Sequence, residues 1–223
     1  MIRVRGVGWI SGPEFGGVRL SQRHAFPPGA TLHTLWRDAH LLPAPPKNAG
    51  RFNAAVHLTC GAIALALRDA GLECVGDRKR DIGLLAATPD GCLAANRAYF
   101  EDYLTGGRTM GRGNLFIYTL PTSAAAEAAI CFGLQGPLLY AAGSGRPAHA
   151  LLATACGMME RGEAAGMLAL LAEGDAALCF FLAEAAAAPH HDVCAVEEAL
   201  RATDIDAPLA ELIGNIAGRP PSA

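Results

Sequence analysis

Hydrophobic positions along the chain change their period from one stretch to the next. The opening IRVRGVGWI, residues 2–10, is rich in β-branched residues and stops at Ser11, Gly12 and Pro13, the pattern of a strand running into a turn. Between 16 and 50, prolines at 27, 28, 43, 45 and 46 cut the apolar residues into short pieces. That predicts irregular chain with a short helix around 33–41. Over 51–71, Val56, Ile63, Leu67 and Ala70 among many alanines predict a buried helix closed by Gly71. DIGLLAAT, 81–88, is a short apolar run bounded by charge and Pro89, as expected of a strand covered on both faces.

A helix over about 93–104 closes at Gly106 and Gly107, and a loop runs from there to Phe116. Pro121 opens a helix over about 122–131, PLLYAA forms a strand, and Pro147 starts a helix that ends at Gly162. GMLALLA and AALCFFLAEA flank Glu173, Gly174 and Asp175, which predicts a hairpin. VCAVEEALRAT and PLAELIGNIAG read as two short helices before a frayed end. Alternating strands and helices predict an α/β fold: a mixed, mostly parallel five-stranded sheet with helices on both faces. Residues 1–188 form the main domain in this reading, and 189–223 a C-terminal helical extension and tail.

Composition narrows the classes. At 223 residues, 52% of them hydrophobic, the chain can bury a substantial core. A net charge of −3 and a single short basic cluster, Arg78, Lys79 and Arg80, argue against nucleic acid as a partner. Seven cysteines without CxxC pairs fit a reducing, cytoplasmic compartment better than a disulfide framework. The opening residues lack a signal-peptide core. Acidic residues and Arg161 interrupt the apolar C-terminal third, so no run reaches the ~20 residues of a membrane span.

Candidate chemistry is sparse. GVGWISG contains GxG, but Ser11 stands at the third glycine position and no acidic residue follows about 20 positions on, so a strand-end turn is the better reading. AAGSGR around Ser144 departs from a nucleophile elbow at Ala142 and Arg146. Cys156 lies about two and a half turns into the helix from Pro147, beyond the reach of the N-terminal dipole. His149 shares its face, but seven residues at 1.5 Å rise separate the two by roughly 10 Å, too far for a Cys–His pair. Cys156 therefore stacks with Leu152 and Met159 as a packing thiol. His190, His191, Asp192 and Cys194 match no zinc spacing, and Asp192 is expected to cap the helix that follows. Neither a metal nor a cofactor is implied.

The order of these stretches resembles the β-ketoacyl-ACP synthases of the thiolase fold, over their N-terminal half only. RVRGVGWISGPEFG is similar to the family's opening strand and glycine turn, and GRFNAAVHLTCGAIALALRDAGLE to its first core helix with the DAGL ending. DIGLLAATPDGCLAANRAYFEDYLTGG and LFIYTLPTSAAAEAAICFGLQGP resemble its strand, acyl-pocket loop, LPN helix and FGLxGP turn. AHALLATACGMMERGEAAGML resembles the helix after the nucleophile and the next strand.

The resemblance places the family's catalytic cysteine at Ser144, or at Gly143 one register away, so it implies no catalytic residue here. The family's catalytic histidines belong to a C-terminal half that has no counterpart in these residues, and His190 and His191 carry no family motif. Thr122 replaces the LPN asparagine, Asp90 replaces an apolar tunnel residue, and the 173–176 connection is shorter than the family's. The resemblance implies dimerisation through Leu138, Leu139, Tyr140, Ala141 and Ala142, with Thr88, Pro89, Asp90, Leu93, Phe116 and Tyr118 facing an acyl tunnel or the partner. The expected protein is like a chain-length factor of polyketide, fatty-acid or aryl-polyene synthesis, a heterodimer with a full-length ketosynthase that meets acyl carrier protein indirectly. Two alternatives stay open: acyl transfer through Ser144 or Cys156 assisted by His149, and a homodimeric module that binds acyl chains or carrier protein.

Overall fold

The computed structural model describes residues 1–19, 23–26, 46, 48–74, 78–109, 111–142, 145–185 and 192–218. The short helix expected around 33–41 lies outside them. The chain opens with β1 (Ile2–Ser11), β2 (Glu14–Gly17) and β3 (Arg23–Ala25), then α1 (Ala54–Asp69), β4 (Ile82–Ala87) and α2 (Leu93–Thr105). There follow α3 (Gly113–Phe116), a 3-10 turn Ile117–Thr119, α4 (Ser123–Phe132), β5 (Leu138–Tyr140), α5 (Pro147–Glu160), β6 (Gly166–Glu173) and β7 (Ala176–Glu184). β8 (Cys194–Ala195), α6 (Val196–Thr203) and α7 (Leu209–Ala217) close the described chain.

One sheet runs in the order β3-β2-β1-β7-β6-β4-β5, with β8 added beside β1. The α/β class and the five expected strands, β1, β4, β5, β6 and β7, are present, but the count and the balance are corrected. Among the described residues the sheet has eight strands, and of their pairings only β4–β5 and β4–β6 are parallel. EFGG, RHA and CA are too short to show a hydrophobic period, which hid β2, β3 and β8. β1 pairs antiparallel with β7, which also turns back on β6, so the parallel pairs are confined to one side. The expected loop before Phe116 also holds the short helix α3.

Alternate residues of β6 serve two cores, as strand geometry requires. Leu168 and Leu170 face α1 and α4, whereas Met167, Ala169 and Leu171 face α5, α6 and α7. Gly6 and Gly8 let α1 lie directly on β1: a Cβ on Gly8 would stand 2.3 Å from the Ala62 carbonyl oxygen. The GxG of GVGWISG thus serves helix packing within the strand, and the turn comes after it at Gly12, with φ +54°.

At the far end of α1, Asp69 is 1% exposed and its Oδ2 accepts from the Val7 and Arg19 amides at 2.9 and 3.1 Å. The register of β1 against β7 shifts between Val4 and Gly6, just before that bond. The DAGL stretch therefore fastens β1 at its irregularity. Asp69→Ala is expected to destabilise the fold by about 3 kcal/mol, since it strips the carboxylate acceptor from the buried Val7 amide and the half-buried Arg19 amide. Urea unfolding measures it, and a loss under about 0.5 kcal/mol would remove that role.

Asp192 corrects an expectation. It does not cap α6, whose N-cap is Ala195. The chain first adds β8 to β1, with the Val193 amide donating to Val4 oxygen at 2.7 Å, so Asp192 comes too early for the cap. Its nearly buried carboxylate lies 3.3 Å from Arg3 Nε and 3.0 Å from Arg5 Nε. This ion pair ties the C-terminal helices to the first strand.

Candidate functional site

β4 emerges beneath a loop braced from two sides. The Tyr140 hydroxyl on β5 donates to the Thr88 carbonyl at 3.0 Å and lies 2.6 Å from Thr88 Oγ1. Gly91, with φ +57°, turns the chain into α2. There the Cys92 thiol donates to Thr119 oxygen at 2.7 Å, and Asn96 Nδ2 donates to Cys92 Sγ at 3.0 Å. These bonds hold the loop, α2 and the 3-10 turn around a cavity of about 390 Å³.

Five segments wall the cavity: the start of α1, the loop after β4, the start of α2, residues 118–124, and the β6–β7 turn. Thr88, Asp90, Leu93 and Tyr118 all line it. Pro89 and Phe116 do not. Phe116 is 54% exposed and packs on Tyr99, the ring centroids 5.6 Å apart.

Beneath Tyr118 lies a pair that sequence reasoning missed. Glu127, 6% exposed, meets Arg51 Nη2 at 3.0 Å. A lone glutamate inside the apolar SAAAEAAICF helix was the available signal. Burial and then the Glu127 charge push the Tyr118 phenol up, and they outweigh the Arg51 guanidinium, whose charge and side-chain hydrogen bond pull it down.

β5 ends the sheet. Leu138 and Leu139 are 40% and 43% exposed, Tyr140 and Ala141 are half-buried, and Ala142 is exposed. Among the described strands β5 pairs with β4 alone. Among the described residues, apart from Met1 and Ile205, every exposed large apolar side chain falls between Leu93 and Leu139, on α2, α3, the 3-10 turn, α4, β5 or the links between them.

The nucleophile candidates do not converge among the described residues. Gly143, Ser144, His190 and His191 lie outside them. Cys156 is half-buried at the edge of the second core, 3.7 Å from Glu160 Oε1; burial and then the Glu160 charge push its thiol up. His149 Nδ1 lies 3.0 Å from the Leu200 carbonyl and 3.9 Å from Asp204 Oδ1. A carbonyl only accepts, so Nδ1 carries the proton, and His149 joins α5 to α6. Among the described residues no three His, Cys, Asp or Glu side chains are grouped to hold a metal. No single described helix is long and apolar enough to cross a membrane.

The sequence model of the β-ketoacyl synthase N-terminal domain matches residues 25–195, well over half of the chain. The chain therefore belongs to the β-ketoacyl synthase family, whose N-terminal domain it carries. No curated protein matches it. Its fold is similar to the ishigamide ketosynthase/chain length factor, at TM-score 0.57 and 18% identity over 84% of this chain and 63% of that one. A β-ketoacyl synthase from Burkholderia phymatum STM815 aligns at TM-score 0.58 and 15% identity over 82% and 59%. The ketosynthase AntDE in complex with its acyl-carrier protein AntF aligns at 0.52 and 13% over 82% and 57%. At these identities the likeness establishes the fold, half of a thiolase-like one. The chain spans less than two thirds of each of these relatives.

Proposed function

We propose that this chain is a non-catalytic ketosynthase-like subunit, comparable to a chain-length factor, that pairs with a full-length ketosynthase and shapes its acyl tunnel. The observation that carries the reading is the β5 edge, which among the described strands pairs with β4 alone, together with the exposed apolar side chains between Leu93 and Leu139. An apolar strand edge left open is a template for further pairing and for aggregation, so a partner is needed to cover it. The relatives named a ketosynthase/chain length factor and a ketosynthase with its carrier protein support the kind of partner and a place in polyketide or fatty-acid synthesis. The cavity residues Thr88, Asp90, Leu93 and Tyr118 then lie between that edge and the tunnel, with Pro89 and Phe116 toward the partner.

A chain with seven cysteines and no CxxC pair suits a reducing compartment such as the cytoplasm. The raised Cys156 thiol does not favour acyl transfer, because the thiolate is the nucleophile. Co-expression with a full-length ketosynthase encoded beside this chain is the test. The expected result is a single co-eluting complex whose product chain length differs from that of the ketosynthase alone. Separate elution with unchanged partner products overturns the proposal. A stable dimer of this chain alone favours the homodimeric module, and a covalent acyl adduct on intact mass overturns the non-catalytic role.

A further inference from the structure

Helices α1 and α4 pack directly against each other, and each brings a cysteine to the join. Cys60 belongs to the buried core and is 0% exposed; Cys131, half-buried near the end of α4, packs against the same core. Their thiols hydrogen-bond to each other. Small side chains flank both: Ala64 stands one turn beyond Cys60 and Ala128 one turn before Cys131, all in one cluster. Such side chains let two helices approach closely, and a disulfide needs Cα atoms no more than about 7 Å apart.

The two thiols differ in access and in acidity. Burial, the contact with Cys131 and the Glu127 charge all push Cys60 up, so it holds its proton. Cys60 then donates to Cys131, and that bond draws the Cys131 thiol down against its own burial and the Glu127 charge. Ile130, next to Cys131, is 71% exposed, so the more acidic thiol stands at the solvent side of the pair. Elsewhere burial pushes Cys74 up to about 11 and raises Cys156 and Cys179 as well. Those thiols stay protonated and react slowly.

We propose that Cys60 and Cys131 form a redox-active dithiol, oxidised by hydroperoxides to a disulfide that staples α1 to α4. The Cys131 thiolate attacks one oxygen of the peroxide, forming an S–O bond as the O–O bond breaks. This leaves a sulfenic acid and a departing hydroxide or alkoxide, which takes up the proton that Cys131 gave up. The Cys60 thiol then loses its proton and attacks Cys131 Sγ; the S–S bond forms, the S–O bond breaks, and water leaves. Two thiols are oxidised and one hydroperoxide is reduced to water, or to water and an alcohol. In a reducing compartment thiol exchange reopens the bond. The inference goes beyond the function proposed above and does not depend on a partner chain.

The test treats the full, reduced chain with hydrogen peroxide, reads its intact mass and maps its peptides. A linked Cys60–Cys131 peptide is expected, with an intact mass lower by two hydrogens, and dithiothreitol should reverse both. Cys60→Ala should leave Cys131 to oxidise more slowly, to a sulfenic acid that dimedone captures. Cys131→Ala should spare Cys60 from oxidation. The linked chain should melt about 5 °C or more above the reduced one, because the bridge constrains the unfolded chain. The parent's peptide map decides the matter even where a variant fails to fold: a pair that serves packing only gives no linked peptide, and that overturns the proposal. A link found only between two chains, or a linked chain that melts below the reduced one, overturns it too.

Discussion

Gly8→Val is expected to leave no cooperatively folded protein at 25 °C. A Cβ at this position would lie 2.3 Å from both the Ala62 oxygen and the Ala66 nitrogen, and 2.7 Å from Leu65 Cβ. Overpacking costs about 1–3 kcal/mol when flexible side chains absorb the intrusion. Here the obstacles are mostly backbone atoms inside α1, which cannot move without parting the helix from the sheet. The loss should therefore exceed about 5 kcal/mol, the low end of what holds a typical domain together. Circular dichroism on heating should show no sigmoidal transition. Gly214→Ala is the control: nothing lies within 4 Å of the added methyl, so this exposed position of α7 should gain up to about 1 kcal/mol. A Gly8→Val protein that melts within a few degrees of the parent would mean that α1 does not approach β1 this closely.

Elements whose cause is local were legible in the sequence. The periodic apolar run that predicts a helix over 51–71 forms α1 at Ala54–Asp69, and Gly71 takes the left-handed conformation at φ +75°. Gly107 and Gly162 do the same after α2 and α5. The β6–β7 hairpin turns across Gly174 as the interrupted apolar runs imply. Features caused by distant partners were not legible. Asp192 looked like a helix cap because Arg3 and Arg5, its actual partners, stand at the other end of the chain.

The candidate site divides in the same way. Thr88, Asp90 and Leu93 are adjacent in sequence and could be placed on one loop. Thr59, Ser123 and Glu173, which complete the cavity, come from segments that only the fold brings together. Short strands such as RHA carry too few residues for any pattern, so their pairing is a property of the neighbouring strand.

Leu139→Lys is expected to weaken pairing with a ketosynthase at least a hundredfold while leaving the chain folded. Leu139 is 43% exposed on β5, so its replacement in the lone chain keeps the new ammonium hydrated and should cost about 1 kcal/mol. In the proposed complex the same charge would be stripped of water without a partner, at a cost of several kcal/mol, and each 1.4 kcal/mol is tenfold in affinity. The variant should also be more soluble alone, because lysine on an open strand edge discourages further pairing. These two effects have opposite signs for the same residue, which a core position cannot produce: a buried leucine made charged loses stability and solubility together. Ile130→Lys, at 71% exposure on the neighbouring α4, should weaken pairing less, since more of its surface stays wet at the margin. Titration calorimetry or co-elution at falling concentration measures both. Parent-like affinity for Leu139→Lys would take β5 out of the interface and leave its exposed leucines without the partner that explains them.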